Sequence, residues 1–389
     1  MLIKYFKNLS TSFHQIAVFF LNIWITRSLG LDVVGEYYYI FVAIAALCMA
    51  VGVRSEIFLF SKHPKEFINH ILSSSKLFLV TGSILFLIFA LVSFFLEIKF
   101  LFILPLLAIF VCFNEMICLY VFKIQKLYLY SALRLSYPLA VFIFFNIYTE
   151  PVLVISLALI SQFLFSLLVI KDNFSRDVLS SNTFFSDPEL KKMFIGAFLS
   201  ILFYCSNFLC IHLLQSKLGN DFVGIWSNIV RIFGAPTSFL ITFISPFAFR
   251  VIDTRNTLGE NYLQFKKKLH LLLPMTLVII LFISFFGRDT LNLIINTNLE
   301  LPNYLIILIF LCYLFQMIAN LVIPIFQVFE RSFVLIIINL IFCLSLFILL
   351  SISSLGFSNY VFIIFSMYLI LFLFQFFFLE KELNKFITY

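Results

Sequence analysis

Charged residues are scarce in this 389-residue chain: they make up only 12% of it, whereas hydrophobic residues make up 63% and the mean hydropathy is +1.11. A soluble domain carries about a quarter charged residues, so the composition excludes a soluble enzyme, a secreted disulfide scaffold and a disordered protein. Continuous apolar runs of about 20 residues match the ~30 Å hydrocarbon core, and their lack of alternation excludes a β-barrel. We therefore predict an all-α polytopic membrane protein.

Motifs for catalysis and metal binding are also missing from the sequence. The seven cysteines form no CxxC pair and have no histidine at zinc spacing, so a packing role among helices is favoured. No GxxxxGK[ST] occurs, which argues against ATP hydrolysis. The first apolar run lacks a small-residue cleavage site and is not a cleavable signal peptide. We expect no enzyme activity, no cofactor, no metal and no nucleic-acid partner.

Apolar windows separated by polar residues predict about twelve transmembrane spans. Their expected bounds are 9–29, 36–58, 75–95, 101–122, 131–148, 152–170, 193–215, 224–248, 269–286, 303–325, 333–351 and 358–379. The loops between them are short, and no stretch is long enough to form a soluble domain.

The distribution of Lys and Arg predicts the orientation of the spans. If the N-terminus is cytoplasmic, 21 of the 26 basic residues lie on the cytoplasmic side, four lie outside and one, Arg231, lies within a span. An excess of positive charge marks cytoplasmic loops, so both termini are expected in the cytoplasm. The net charge of +7 reflects this bias and needs no nucleic acid to explain it.

An internal repeat relates the two halves of the chain. Residues 29–35 and 218–224 both read L-G-x-D-x-V-G, at an offset of 189 residues. We expect the first glycine to end a helix, the aspartate to cap the next helix and the second glycine to permit a tight return; the aromatic residues that follow are expected to anchor the helix at the membrane interface. The predicted organisation is a six-helix bundle at 1–171, a cytoplasmic linker at 172–192 and a second, parallel six-helix bundle at 193–389.

Several of these loops resemble a known family. Thr-Arg-Ser-Leu-Gly at 26–30 and Val-Gly-Glu-Tyr at 34–37, followed by a long span that ends in Gly-Val-Arg at 52–54, resemble the opening of the O-antigen flippases. These belong to the multidrug/oligosaccharidyl-lipid/polysaccharide exporter superfamily. The segment 122–126 is similar to that family's basic fourth loop, and 326–331 occupies the equivalent place in the second half.

The resemblance implies a function and a location. An O-antigen or capsule repeat unit, linked to undecaprenyl diphosphate, would be translocated by alternating access from the cytoplasmic to the periplasmic leaflet of a bacterial inner membrane. The implied partners are this lipid-linked glycan, the bilayer and other polysaccharide-assembly membrane proteins.

Ionisable groups inside the spans are the candidate substrate-binding residues, because such groups are costly in hydrocarbon. Arg231 lies about seven residues into the eighth span, roughly 10 Å deep, where its guanidinium could bind a diphosphate bidentately. Arg54 lies near the inner end of the second span, and the resemblance implies a cavity arginine there. Glu115, in the fourth span at about the level of Arg54, would pair with an arginine or take up a proton when unpaired.

Other polar residues of the spans are expected to be structural. Arg27 and Arg134 lie at span ends and are interpreted as anchors, and His14 and His212 as hydrogen-bonded bundle residues. Two alternative functions stay open. A cation-coupled small-solute exporter of the same superfamily would be expected to carry more membrane carboxylates, and an O-antigen polymerase would need a large outer loop with several arginines.

Overall fold

The computed structural model describes most of the chain as long helices joined by short turns. The described residues are 2–52, 67–96, 102–124, 126–171, 187–253, 258–270, 272–296, 299–328, 332–352 and 356–387. They form α1 (Leu2–Leu29), α2 (Leu31–Gly52), α3 (Phe67–Leu96), α4 (Ile103–Lys123), α5 (Leu127–Phe145), α6 (Pro151–Lys171), α7 (Asp187–Leu218), α8 (Asn220–Asp253), α9 (Leu258–Leu269), α10 (Leu272–Ile295), α11 (Asn303–Val328), α12 (Ser332–Ile352) and α13 (Phe357–Ile387).

Each of the twelve predicted spans corresponds to one of these helices, so the prediction of an all-α polytopic membrane protein is confirmed. Eight of the helices, within the part of the chain that the structure describes, are long and apolar enough to cross a membrane. Helix α9 was not predicted from the sequence; it is short, and its last turn contains Lys266, Lys267 and Lys268. Its polar composition explains why a search for apolar windows misses it.

The helices form two compact units. The first unit contains Met1–Val18 and Ile40–Tyr204, and the second contains Phe19–Tyr39 and Cys205–Tyr389. The end of α1 and the start of α2 therefore belong to the second unit. The predicted division into bundles at 1–171 and 193–389 stays a prediction, and residues 172–186 of the expected linker lie outside the described residues.

In the first unit, α4 packs against α3, α5 and α6. Its inward face includes Ile117 and Val121, which are both fully buried, and Leu133 of α5 and Ala158 of α6 are fully buried as well. These positions recur at helical spacing, so the packing that holds the first unit together follows from the periodicity of the apolar residues. The opposite faces of its helices expose large apolar side chains, as lipid contact requires.

In the second unit, α11 is central and packs against α8, α10 and α13. Ile306 and Phe310 of α11 are fully buried. Tyr360 of α13 is also buried, and its hydroxyl donates a 2.5 Å hydrogen bond to the carbonyl oxygen of Cys210 in α7. A buried hydroxyl requires such a partner, so this contact helps to fix α13 against α7.

Each L-G-x-D-x-V-G loop is a turn of a single glycine between two helices. Gly30 and Gly219 have φ angles of +100° and +97°, a conformation that L side chains rarely adopt. Their amides donate to the carbonyl oxygens of Thr26 and Gln215, at 3.1 and 2.9 Å. Both glycines thus end a helix as predicted. The motif aspartates lie in the first turns of α2 and α8, where a negative charge interacts favourably with the helix dipole.

The second glycine of each motif has a different role from the one expected. Gly35 and Gly224 lie inside α2 and α8 rather than in a turn. A Cβ atom on Gly35 would lie 1.9 Å from the carbonyl oxygen of Asn220, and one on Gly224 would lie 2.2 Å from that of Leu31. Leu31 and Asn220 are 189 residues apart, which is also the offset between Gly35 and Gly224. The contact of Gly35 with Asn220 is therefore equivalent to the contact of Gly224 with Leu31, as in a pair related by a local two-fold axis. We call this close approach, formed by these four residues, the glycine crossing.

The aromatic residues after each motif are buried, which corrects their assignment as interfacial anchors. Tyr37 and Tyr38 are 5% and 8% exposed, and Trp226 is 5% exposed. The glycine crossing brings the backbones of α2 and α8 together, and the neighbouring large rings are covered by protein rather than left at the helix surface. A pattern of aromatics near a span end does not distinguish these two environments.

Candidate functional site

The three predicted substrate-binding residues fall in different parts of the chain. Arg54 lies in residues 53–66, outside the described residues. Glu115 lies in α4, in the first unit, and Arg231 lies in α8, in the second unit. The substrate-binding role of all three stays a prediction.

Glu115 pairs with an arginine, as one of its two expected roles requires, and the partner is Arg134 of α5. Arg134 Nη1 lies 2.5 Å from Glu115 Oε1, and Nη2 lies 2.6 Å from Oε2. This two-point geometry is the strongest form of an ion pair between side chains. The sequence analysis expected Arg134 to be an anchor at a span end, and that assignment is wrong.

The pairing follows from the geometry of the α4–α5 hairpin. Helix α4 ends at Lys123 and α5 begins at Leu127, so Glu115 and Arg134 lie at nearly equal distances from the turn. At 1.5 Å per residue, these distances are about 12 Å and about 10 Å along the two helices. Two antiparallel helices bring such residues to the same level. Equal spacing about the turn was therefore the signal in the sequence that identifies this pair.

Pro138 leaves the backbone carbonyl oxygen of Arg134 without its usual donor within the helix. Proline has no N–H, so Pro138 inside α5 cannot donate to the carbonyl oxygen of Arg134, four residues earlier. His14 Nδ1 lies 2.7 Å from that oxygen. Because a carbonyl only accepts, Nδ1 carries the proton and donates. His14 is thus a hydrogen-bonded bundle residue, as predicted.

Further side chains surround the ion pair. The guanidinium carbon of Arg134 lies 5.5 Å from the centre of the Tyr130 ring, within cation–π range. The Nε atom of Arg134 is buried and has no acceptor among the described residues. Glu115 and Arg134 remain partly accessible, with side-chain exposures of 45% and 21%. Together with Cys118 and His14, these residues form what we call the Arg134 cluster.

A network of neutral side chains lies next to the cluster. Asn114 Nδ2 donates to Gln162 Oε1 at 3.1 Å, Ser166 Oγ donates to Asn114 Oδ1 at 2.9 Å, and Gln162 Nε2 donates to the carbonyl oxygen of Leu133 at 3.0 Å. All three polar side chains are buried. The hydrogen bonds satisfy these groups inside the first unit and tie α4, α5 and α6 together.

Arg231 is half-buried on a polar face of α8, about 16 Å along the helix from Asn220. Its guanidinium interacts electrostatically with the hydroxyl of Tyr38 in α2, which also interacts with Tyr313 of α11. The ring of Tyr313 lies on Gly234, where a Cβ atom would meet the ring at 2.6 Å. The Tyr313 hydroxyl lies 2.5 Å from Ser238 Oγ.

Arg231, Gly234 and Ser238 lie at i, i+3 and i+7 on α8, and the hydroxyls of Tyr38 and Tyr313 come from α2 and α11. One cation with several hydroxyls on this Arg231 face is a combination that suits an anionic ligand with further hydroxyl groups. The absence of a side chain at Gly234 lets Tyr313 approach the helix, so the glycine shapes this face. The sequence analysis identified the arginine but neither tyrosine.

Arg27 has a structural role at a helix end. Its Nε and Nη2 atoms donate to the carbonyl oxygens of Ile294 and Leu293, at 2.7 and 2.6 Å, at the end of α10. Lys217, at the corresponding end of α7, donates to the carbonyl oxygens of Leu350 and Ser351 at the end of α12. A cation stabilises the C-terminal end of a helix, so both basic residues act as helix caps.

A cleft of about 500 Å³ lies beside the repeat loops, lined by residues that include Thr26, Gly30, Asp221 and Glu300. Its two carboxylates make it unsuitable for a diphosphate. Among the described residues, no three His, Cys, Asp or Glu side chains are grouped as metal binding would require.

Comparisons with known proteins show the fold. No protein-family model and no curated protein matches the chain. Its structure is similar to a multidrug resistance MATE family transporter of the MOP superfamily in an inward-facing conformation, with a TM-score of 0.64 and 15% identity over 95% of this chain and 96% of that chain. An outward-facing structure of such a transporter gives 0.66 and 14% identity over 97% and 94%.

A third similar structure is a MOP superfamily transporter from Pyrococcus furiosus, whose binding pocket is described as having a reverse polarity that suggests a different function. It matches with a TM-score of 0.61 and 14% identity, over 97% of this chain and 95% of that chain. At these identities the likeness establishes the fold alone. The chain thus has the fold that the resemblance in its loops implied.

Proposed function

We propose that the chain is a membrane transporter that works by alternating access and carries an undecaprenyl-diphosphate-linked oligosaccharide from the cytoplasmic to the periplasmic leaflet. The fold supports transport, since the similar structures are transporters in inward- and outward-facing conformations. It disfavours the polymerase alternative. The lipid-linked substrate is supported by the loop resemblance and by the charges inside the spans.

The observation that carries the proposal is the composition of the Arg231 face. Arg231 lies on this face with the hydroxyl-bearing Tyr38, Tyr313 and Ser238. Cations in hydrocarbon are stabilised by an anion, and a diphosphate matches the fork of an arginine. In this proposal Arg231 and Arg54 bind the diphosphate, and the hydroxyls contact sugar.

The fold suits a small-solute exporter equally well, because multidrug transporters share it. The Pyrococcus structure, with its reverse pocket polarity, supports the view that one fold serves ligands of different charge. The charge of the site is therefore what distinguishes the two candidates. A site for cationic drugs would need available carboxylates, and Glu115 is already paired with Arg134.

A deletion strain tests the proposal. Loss of the flippase is expected to leave single undecaprenyl-linked repeat units on the inner leaflet. Lipid A capped with one repeat unit would indicate a polymerase instead, and unchanged glycan with increased drug sensitivity would indicate a small-solute exporter.

Substitution of Arg231 tests the site. Arg231→Ala removes a charge-assisted contact worth about 1.5–3 kcal/mol, so glycan display should fall by about tenfold or more. Arg231→Lys should restore it only in part, because lysine keeps the charge but lacks the bidentate fork. Display is compared at equal amounts of membrane-inserted protein, with Arg288→Ala as the control at an exposed helix position. Full glycan display in cells that carry Arg231→Ala would refute a substrate-binding role for Arg231.

A further inference from the structure

We propose that Arg134 is an additional anion-binding residue and that Glu115 is its built-in competitor, which a phosphate-bearing ligand displaces. The inference rests on the proposed function for the nature of the ligand, a prenyl diphosphate. The exchange itself depends only on the residues of the Arg134 cluster.

The ion pair occupies the part of Arg134 that a phosphate would use. Both terminal nitrogens contact the two carboxylate oxygens of Glu115, at 2.5 and 2.6 Å. Two oxygens of a phosphate present the same two-point geometry to a guanidinium. While Glu115 is bound, the buried Nε atom of Arg134 has no hydrogen-bond acceptor in the described part of the chain. A diphosphate has more oxygens than a carboxylate and can satisfy this third donor.

The two partners are not held equally. Arg134 is fixed by the ring of Tyr130, and its backbone by the hydrogen bond from His14. Glu115 has more than twice the side-chain exposure of Arg134, 45% against 21%. Ionisable groups inside membrane helices face the bundle interior or a cavity rather than lipid. The anion can therefore leave while the guanidinium stays in place.

Farnesyl diphosphate, a soluble prenyl diphosphate, is the probe for this exchange. Its binding to the purified full-length protein in nanodiscs is measured by calorimetry at neutral pH. The variants are Glu115→Gln, which keeps the size of the side chain, and Arg134→Lys. Glu380→Gln is the matched control, because Glu380 forms a 2.5 Å ion pair with Lys266 outside the cluster.

Glu115→Gln should bind the probe about tenfold more tightly than wild type, or better, at neutral pH. The reason is that the Glu115 carboxylate competes with the probe for Arg134, and removal of a close competing charge changes the affinity by at least this factor. Arg134→Lys should weaken binding, and Glu380→Gln should match wild type.

Equal affinity of wild type and Glu115→Gln for the probe would overturn the exchange. If Glu115→Gln fails to fold, Arg134→Lys still decides, because binding as tight as that of wild type contradicts the proposal. If Arg231→Ala weakens binding while Arg134→Lys and Glu115→Gln do not alter it, this inference fails and the proposed function stands. If neither wild type nor any variant binds the probe, both fail.

Discussion

Alanine at Gly35 or Gly224 should disrupt the glycine crossing. The added methyl of Gly35→Ala would lie 1.9 Å from the carbonyl oxygen of Asn220 and 2.7 Å from its carbon, and that of Gly224→Ala would lie 2.2 Å from the carbonyl oxygen of Leu31. An ordinary carbon–oxygen contact is about 3.3–3.6 Å. Both obstacles are backbone atoms, so no side-chain rotation can relieve them, and the two helices must move apart by roughly 1 Å or more.

This separation sets the size of the effect. Overpacking of a well-packed site costs about 1–3 kcal/mol, and small residues are what allow membrane helices to pack closely. We therefore expect each single alanine to lower the free energy of unfolding by about 2–3 kcal/mol. The double variant should cost less than the sum of the two by about 1 kcal/mol or more, because a separation caused by one methyl makes room for the other.

Unfolding in mixed micelles, followed by tryptophan fluorescence, measures these differences. Gly356→Ala is the matched control, since a Cβ there meets no atom within 4 Å and the glycine does not have a positive φ. If the Gly35→Ala and Gly224→Ala variants are as stable as Gly356→Ala, the close approach at the glycine crossing is refuted. Strict additivity of the two variants would refute the argument that both act on one contact.

Two further predictions concern the Arg134 backbone and the membrane orientation. His14→Ala should destabilise the protein by about 1 kcal/mol, and by less in a Pro138→Ala background, because the alanine introduced there supplies the N–H that proline lacks; equal costs in both backgrounds would contradict this account of the hydrogen bond to Arg134. A fluorescent protein fused after Tyr389 should fluoresce in the cytoplasm, and an alkaline phosphatase at the same place should be inactive; an active phosphatase would overturn the predicted topology.

Much of the fold could be predicted because its determinants are local. Each predicted span has one helix, since a run of about 20 apolar residues is recognisable without knowledge of its neighbours. Gly30 and Gly219 were predicted to end helices because a positive φ favours glycine wherever it occurs. The helix α9 was missed because it is polar, and the burial of Tyr37 and Trp226 was missed because it depends on which helix lies opposite.

The candidate site shows the same division. Arg231 and Glu115 were recognisable in the sequence because a charged side chain inside an apolar span is energetically costly however the helices pack. The partner of Glu115 was misassigned because Arg134 was judged by its distance from a span end, although its equal spacing about the α4–α5 turn was visible in the sequence.

The sequence by itself determined that this is a helical membrane protein with an internal repeat, because hydropathy and turn-forming glycines act over a few residues. Only the tertiary structure decided that Arg134 holds Glu115, that His14 caps the carbonyl freed by Pro138, and that Gly35 and Gly224 bring two backbones into contact. These contacts join residues from 19 to 193 positions apart. Their formation depends on the rotation and separation of whole helices, which no local pattern specifies.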